Sequence, residues 1–290
     1  MKKILFILIL TVSFWNFNFG QEMSQPIRLV HTTNGCRWAQ VALGPDGIAH
    51  AVWEEDLYTG PGHEIMYVSY DGKTASSPIN LKTKPDVRGL RPHITCSRKG
   101  GVFVVWNQEQ IVYLREYDPV GKNWLPIEEV GPCYGGDCEQ LVAIDPSGNI
   151  HVVWFSDSAG KIYARSKING VWEEIKRLSP PGVRAVQCAV VAGKDGWIWA
   201  VWREKGGGGE YKNFYSKRRA NSDWSDRKHV NNAGASSSHP HMAIGPDNVP
   251  VTVHGDIDES TGHLQEIWAC TLDEKTNPRE LAVGLNLQHY

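Results

Sequence analysis

The feature that most constrains this chain is an internal repeat of about 50 residues. Five segments align, and each has a short apolar run, a turn rich in Pro, Gly, Asp or Asn, and a second apolar run. The second run ends in Trp in four copies and in His in the fifth, at spacings of 53, 48, 48 and 52 residues. The aligned segments are VALGPDGIAHAVW (41–53), ITCSRKGGVFVVW (94–106), VAIDPSGNIHVVW (142–154), VVAGKDGWIWAVW (190–202) and MAIGPDNVPVTVH (242–254).

Each repeat continues with a third predicted strand and, after a turn, with a fourth that often opens with Trp. Four short antiparallel strands per repeat are typical of a β-propeller blade. The second strand, as in Ile150–Trp154, is apolar on nearly every residue, which fits a blade because both of its faces pack on neighbouring blades. We therefore predict an all-β propeller over residues 21–290, with repeats near 31–81, 88–130, 137–178, 184–230 and 237–283.

The two ends of the chain bear on the number of blades. Residues 25–30 read as a fourth strand with no blade before it, and residues 284–290 read as the opening of another repeat. Propellers often close their ring by adding such an N-terminal strand to the last blade. Five full repeats and the start of a sixth favour a truncated six- or seven-bladed ring, and the alternative is a five-bladed ring with a loose tail.

Residues 1–20 are predicted to form a secretory signal peptide. Lys2 and Lys3 precede an apolar run from Ile4 to Trp15 that is too short for a comfortable membrane span. We expect a secreted, periplasmic or cell-surface protein that is monomeric and has no membrane span. Without the leader the chain has 28 basic residues (30 minus 2) and 32 acidic ones, and it lacks the basic face that a nucleic-acid partner requires.

The six cysteines are compatible with disulfides in an exported protein. Cys133 and Cys138 bracket the short, Gly-rich segment 134–137, so we expect them to pair. A zinc site is not favoured, because no close Cys/His quartet is present. Asp256, Asp258 and Glu259 offer a possible structural calcium site, although a solvated acidic turn is the favoured interpretation. No organic cofactor is expected.

The motif D-x-x-G-x-x-H-V-V-W, found at Asp145–Trp154, resembles the degenerate repeats of sialidase-like (BNR-type) propellers. That superfamily includes bacterial propeller polysaccharide lyases of the ulvan-lyase type and propeller rhamnosidases, so the resemblance implies a carbohydrate-active protein. True sialidases place Trp three residues after the Gly, whereas here Trp154 follows Gly148 by six. They also begin with Arg-Ile-Pro, where this chain has Pro26-Ile27-Arg28, so a sialic-acid carboxylate clamp is not expected.

The residues that open the first strand of each repeat should converge at one mouth of the central channel. They are rich in the side chains that a sugar site uses: Trp stacks on a pyranose ring, Arg holds a uronate carboxylate, and His moves protons near neutral pH. The candidate catalytic residues are Arg91, His93, Tyr134, His239 and His241, with His289 at the same position of the next repeat. The candidate substrate-binding residues are Arg37, Trp38, Glu54, Glu139, Gln140 and Gln187.

Two chemistries remain open at this mouth. In a β-elimination, Arg91 would hold the carboxylate and His93 or His241 would transfer protons, with Tyr58 or Tyr134 as a partner. In a hydrolysis, two carboxylates would flank the bond, drawn from Glu54 or Glu55, Glu139 and Glu204. The sequence favours solvated loop positions for Glu54 and Glu55, core positions for His50 and His151, and inter-blade packing for the repeat tryptophans.

These observations predict an exported carbohydrate-active propeller protein, a polysaccharide lyase or glycoside hydrolase that acts on acidic glycans. The alternative is a non-catalytic propeller module that binds glycan or protein, since propellers host both kinds of function.

Overall fold

The computed structural model describes residues 26–56, 62–82, 87–135, 138–156, 158, 160–230, 237–258, 263–272 and 279–282. Within these ranges every regular element is a β-strand, and there is no helix. The strands are β1 (Gly35–Leu43), β2 (Ala49–Asp56), β3 (His63–Tyr70), β4 (Ile79–Asn80), β5 (Gly89–Cys96), β6 (Val102–Gln108), β7 (Ile111–Asp118), β8 (Asn123–Trp124), β9 (Glu128–Pro132), β10 (Glu139–Ile144), β11 (Ile150–Ser156), β12 (Lys161–Ile168), β13 (Val171–Trp172), β14 (Lys176–Arg177), β15 (Ala185–Ala192), β16 (Trp197–Lys205), β17 (Tyr211–Arg219), β18 (Lys228–His229), β19 (Ser237–Ile244), β20 (Pro250–Asp258), β21 (His263–Thr271) and β22 (Arg279–Ala282).

The strands form five antiparallel sheets, one for each predicted repeat, which we call blades one to five. Their strands are β1–β4, β5–β9, β10–β14, β15–β18 and β19–β22. In blades two and three, two short strands share the outer position, because β8 and β9 both pair with β7 and β13 and β14 both pair with β12. The predicted all-β architecture of four-stranded blades is therefore confirmed, while the truncated six- or seven-bladed ring stays a prediction.

The blades pack against one another in chain order through their first strands. β1 packs on β5, β5 on β10, β10 on β15 and β15 on β19. The repeat tryptophans Trp106, Trp154 and Trp202 are fully buried, and each lies in a cluster with apolar side chains of the preceding blade. The predicted inter-blade role of these tryptophans is confirmed, and the packing places the first strands towards the centre of the molecule.

The turn between the first and second strands of blade three is held by one carboxylate. Asp145 Oδ1 accepts the backbone N–H groups of Ser147 and Asn149, both at 2.9 Å, and Oδ2 accepts the Asn149 side-chain amide at 2.8 Å. His151 follows in β11, where its Nδ1 hydrogen-bonds Ser166 Oγ at 2.9 Å. His50 of blade one contacts the hydroxyl of Tyr67 at 2.6 Å. Both histidines are buried, as predicted for core positions.

The outer strands differ most from the prediction. Residues 26–34 contain no strand, although a fourth-type strand was predicted over residues 25–30. The sequence predicts fourth strands over 124–130, 172–178 and 224–230, but the structure has β8 and β9, β13 and β14, and β18 in these segments. Pro126 lies in the blade-two gap and has no N–H to donate to β7, whereas the blade-three gap at residues 173–175 contains no proline.

Candidate functional site

The first strands of four blades carry the same backbone distortion at the same place. The register of each with its second strand shifts by one residue, which is a β-bulge. A non-glycine residue with positive φ lies at each shift, although bulky side chains rarely adopt this conformation. These residues are Trp38 (φ 51°), Arg91 (φ 50°), Gln187 (φ 49°) and His239 (φ 36°). Strain of this kind clusters at functional sites, where it re-aims side chains.

The bulges bring predicted site residues of neighbouring blades into contact. Arg91 places its guanidinium carbon 4.5 Å from the centroid of the Trp38 ring. In blades four and five, Gln187 Oε1 accepts the backbone N–H of His239 at 3.3 Å. Gln140 opens β10, which has no bulge, and its amide donates to the carbonyl oxygens of Leu90 and Arg91. Side chains at or next to the bulges thus link blade one to blade two, blade two to blade three, and blade four to blade five.

Charged groups from blades two, three and five also come within electrostatic range at this mouth. Burial raises the pKa of Glu139, and the positive charges of Arg91 and His241 oppose the rise. Burial lowers the pKa of His93 to about 4, with a further contribution from His241. Arg91 and His241 therefore act electrostatically on Glu139, and His241 acts on His93, while the predicted catalytic roles of these residues stay predictions.

Two histidines near the bulges, His93 and His239, have surroundings that favour the neutral imidazole. His93 Nδ1 accepts the backbone N–H of Val142 at 3.4 Å, which places the ring proton on Nε2. Burial lowers the pKa of His239, and the charges of Arg203 and His241 lower it further. A neutral imidazole beside a guanidinium can accept a proton or donate its remaining N–H at neutral pH.

Glu54 belongs to a buried charge network that sequence reasoning missed. Its side chain is only 2% exposed; Oε2 accepts the N–H of Arg91 at 3.2 Å, and Oε1 pairs with His63 Nδ1. His63 Nε2 lies 3.3 Å from Asp56 Oδ1, and Asp56 Oδ2 binds Arg37 Nη2 at 2.7 Å. The network therefore holds the backbone of the Arg91 bulge through Glu54, and it binds the side chain of the predicted substrate residue Arg37 through Asp56.

The prediction that Glu54 and Glu55 are solvated is wrong. Glu55 is 9% exposed, and burial raises its pKa, but hydrogen bonds from Thr32, Asn34 and Trp53 outweigh this effect and leave the pKa lowered. The pairing of β2 with β3 could have indicated the charge network, because it places Asp56, the last residue of the acidic run Glu54–Asp56, opposite His63. Glu204 is likewise buried and accepts the indole N–H of Trp202 at 2.7 Å.

Tyr134 lies on a loop that joins blade two to blade three and is closed by a disulfide. Cys133 and Cys138 are bonded, as predicted, and both are fully buried. Ser156 Oγ accepts the N–H of Tyr134 and donates to its carbonyl oxygen, each at 2.9 Å. The side chain of Tyr134 is 50% exposed, and the loop that carries it leads directly into β10; its predicted role at the mouth stays a prediction.

Several candidate features of the sequence cannot be placed relative to the bulges. Tyr58, His289, Glu259 and the side chains of Asp256 and Asp258 lie outside the described residues, as does the predicted signal peptide. Among the groups that the structure does describe, no cluster of three or more His, Cys, Asp or Glu side chains could hold a metal ion. The described part of the chain also contains no helix of a length and hydropathy suited to crossing a membrane.

Comparison with solved structures shows which fold this is. A protein of unknown function from Dyadobacter fermentans superimposes with a TM-score of 0.56 at 13% identity, covering 82% of this chain and 79% of that one. The NanB sialidase of Streptococcus pneumoniae gives 0.55 at 10% identity, covering 85% of this chain and 63% of the sialidase. A polysaccharide lyase, an ulvan lyase bound to a GlcA–Rha3S unit, gives 0.54 at 9% identity, covering 80% of this chain and 66% of the lyase.

The fold is a sialidase-like β-propeller. The predicted resemblance to sialidase-like and ulvan-lyase-like propellers is thereby confirmed at the level of architecture. No protein-family model matches the sequence, and a comparison with curated protein sequences finds no match either. The chain spans less than two thirds of the NanB sialidase and of the ulvan lyase. Their chemistry therefore does not carry over to this propeller by similarity, and its function must be argued from the mouth itself.

Proposed function

We propose that this propeller is a carbohydrate-active enzyme that cleaves uronate-containing polysaccharides by β-elimination at the channel mouth. The observation that carries the proposal is Arg91, whose guanidinium lies over the Trp38 ring and whose charge, together with that of His241, acts on the half-buried carboxyl of Glu139. The arrangement offers one group for a substrate carboxylate and separate groups for the two proton transfers.

Arg91 is the group that would bind the uronate carboxylate. Its backbone is fixed by Glu54 and its guanidinium lies over Trp38, so the planar fork is held in place before substrate arrives. Neutralising the carboxylate acidifies the proton on the adjacent C5 carbon. The exposed indole face of Trp38 beside it is suited to a sugar ring.

His241 is the proposed base. It is exposed at the mouth, whereas His93 has its Nδ1 engaged by Val142 and offers only an Nε2–H to hold a substrate oxygen. His241 would take the C5 proton, the electron pair would form the C4–C5 double bond, and the C4–O bond would break. Glu139, whose pKa is raised, would supply the proton to the departing oxygen.

A hydrolase is the second candidate, and the raised pKa of Glu139 favours it because a glycosidase needs a carboxyl that stays protonated as an acid. The partner carboxylate would be Glu54, Glu55 or Glu204, and all three are buried and already engaged. Glu54 is bound to His63 and to Arg91 N–H, Glu55 accepts hydrogen bonds from Thr32 and Asn34, and Glu204 accepts the indole N–H of Trp202. A carboxylate engaged in this way is poorly placed to attack a sugar or a water, so the elimination is the better supported chemistry.

The test follows the absorbance of the unsaturated uronate product during incubation with a panel of uronate-containing polysaccharides. Absorbance should rise with the wild-type protein and be lost in Arg91→Ala and His241→Ala. Arg88→Ala, an exposed arginine three residues before Arg91, is the matched control and should keep activity. New reducing ends without the absorbance rise would instead identify a hydrolase, and binding without cleavage would identify a glycan-binding module.

We also propose that the protein is exported after removal of residues 1–20 and works as a monomer outside the cytoplasm. The Cys133–Cys138 disulfide supports export, because such bonds persist in oxidising compartments. Sequencing the N-terminus of protein recovered from the expressing cell's envelope and medium would test the cleavage, and light scattering would test the oligomeric state. Retention of the full-length chain in the cytoplasm would contradict the proposal.

A further inference from the structure

The interface between blades four and five differs from the three interfaces that precede it. On the second strand of each blade, one residue directly follows the repeat tryptophan. In blades one to three, its cross-strand partner on the third strand is Ile65, Val112 or Ile162. All three are fully buried, and each clusters with the tryptophan of the next blade. In blade four this position is Asn213, and in blade five His254 replaces the tryptophan.

Asn213 and His254 both have polar atoms without a hydrogen-bond partner among the described residues. Neither the Oδ1 nor the Nδ2 atom of Asn213 is satisfied, although the residue is completely buried. Neither ring nitrogen of His254 is satisfied at 2% exposure, and burial lowers the pKa of this histidine to about 4. Two buried polar groups at paired positions indicate a polar occupant, because native proteins rarely leave such groups unmatched.

Arg203 lies directly beside this polar pair. It is the cross-strand partner of Asn213, and its guanidinium carbon is 4.2 Å from the centroid of the Tyr211 ring. Since side chains alternate along a strand and Trp202 packs on blade three, Arg203 lies on the face directed towards blade five. Its charge contributes to the lowered pKa of His239, which places it within reach of the mouth.

The corresponding residue of blade one supports this placement. Glu54 also follows the repeat tryptophan, and it contacts the bulge of the next blade at Arg91. The same repeat position therefore carries an acidic residue, Glu54, next to Arg91 and a positively charged residue, Arg203, near His239. Burial lowers the pKa of Arg203, so its cation is partly desolvated, and a guanidinium in such surroundings forms strong charge-assisted hydrogen bonds to anions.

We propose that Arg203, with Asn213 behind it and His239 beside it, forms a second anion-binding subsite at the mouth. It would take a carboxylate or sulfate on a sugar other than the one held by Arg91. Arg suits this role because its planar fork binds such groups through two parallel hydrogen bonds, and the Tyr211 ring fixes the plane. The inference rests on the proposed function for the identity of the polymer, and it implies a glycan with acidic groups on more than one sugar.

The experiment measures the pKa of His239 by NMR titration of the imidazole signals in the full chain. Sodium glucuronate and sodium sulfate are the probes, with glucose and an equal ionic strength of sodium chloride as neutral references. Either anion bound at Arg203 should raise the His239 pKa towards its ordinary value, because it cancels the positive charge that lowers it. The anion with the stronger effect identifies the acidic group that the subsite prefers.

Three variants separate recognition from a general charge effect. Arg203→Gln should raise the His239 pKa of the free protein and lose the response to both anions. Arg203→Lys keeps the charge, so the pKa should stay low while anion affinity falls about tenfold or more. Arg98→Gln removes the same charge from an exposed turn at the opposite end of the strands and should behave as wild type.

Two results would overturn the subsite: an unresponsive His239 in the wild-type protein, or an unchanged response in Arg203→Gln. The outcome is independent of the cleavage assay, because the probes are small anions and no bond is broken. A response without lyase activity would leave the subsite standing and reject the elimination. Lyase activity without a response would reject the subsite alone.

Discussion

The guanidinium of Arg91 lies over the indole of Trp38, with its carbon 4.5 Å from the ring centroid. Both residues have positive φ at bulges of adjacent first strands, so backbone distortion in two blades brings one cation and one aromatic face together. The indole is 51% exposed, and its free surface continues the platform beside the guanidinium. The pair is the arrangement that a ring with an attached carboxylate would require.

Removal of the indole should therefore weaken binding of acidic sugars. We expect Trp38→Ala to lower the affinity for uronate oligosaccharides about three- to thirty-fold, because it removes both the stacking surface and the group that orients Arg91. Trp38→Phe should recover most of the loss, since it keeps an aromatic face. Calorimetric titration with the same oligosaccharide checks both, and equal affinities of Trp38→Phe and Trp38→Ala would contradict the stacking role.

The sequence was sufficient to predict the blades because their signal is local and repeated. A turn such as Asp145–Asn149 and a buried tryptophan seven to nine residues after the turn aspartate recur along the chain, and each has one structural role. The outer strands were harder to predict, because they are short, partly exposed and interrupted, as between β8 and β9 and between β13 and β14. The segment 26–34 has strand-like composition but no strand, since pairing depends on an available edge rather than on composition.

The supporting contacts of the site could not be predicted from local sequence. The first strands of neighbouring blades pack on one another, which is why Arg91 and His241 act electrostatically on Glu139. The contribution of His63 and Arg203 depends on cross-strand register and on which face meets the next blade. Those relationships join residues that are distant in the sequence, so no local motif announces them. The burial of Glu54 is a consequence of the same register.

The Asp145 turn should make a measurable contribution to stability that depends on pH. Burial would raise the pKa of Asp145, but the nearby imidazole of His151, with Nε2 3.6 Å from Oδ2, and the hydrogen bonds from Asn149 outweigh it and lower the pKa to about 2. Because the folded pKa is below the unfolded value near 4, this stabilisation is present above pH 4 and is lost as the pH falls towards 2.

Asp145→Asn should lower the free energy of unfolding by about 1–3 kcal/mol at pH 7, with the gap to wild type shrinking below pH 4. Urea unfolding at several pH values measures this. Asp46→Asn is the control, since Asp46 is the exposed aspartate of the blade-one turn and accepts a single backbone hydrogen bond, at 3.1 Å from Ile48. We expect it to cost less than about 0.5 kcal/mol. A constant gap for Asp145→Asn at all pH values would exclude the charge as its source.

The Cys133–Cys138 disulfide should stabilise the fold and hold Tyr134 in position. The bond closes a loop with a sequence separation of 5, for which chain entropy predicts a contribution of about 2 kcal/mol. The double substitution Cys133→Ser/Cys138→Ser should lower the free energy of unfolding by this amount and weaken binding of oligosaccharide. Tyr134→Ala should weaken binding to a similar degree without loss of stability, because the side chain is half exposed. Equal binding by all three proteins would remove Tyr134 from the mouth.

A substitution at Asn213 tests whether the polar interface of blades four and five lowers the free energy of unfolding while supporting ligand binding. Asn213→Val removes two unsatisfied buried polar atoms and restores the kind of residue found at the same position in blade two, Val112. We expect the free energy of unfolding to rise by about 1–2 kcal/mol, because burying an unpartnered amide is unfavourable.

Asn149→Val is the matched control: this amide is buried but bound to Asp145, so its loss should destabilise the protein. Chemical denaturation of the two variants measures the sign directly. If Asn213→Val is destabilising as well, the amide has a partner in solution and the pocket behind Arg203 is filled; if it is stabilising and anion binding falls, the polar interface is retained for binding at the expense of stability.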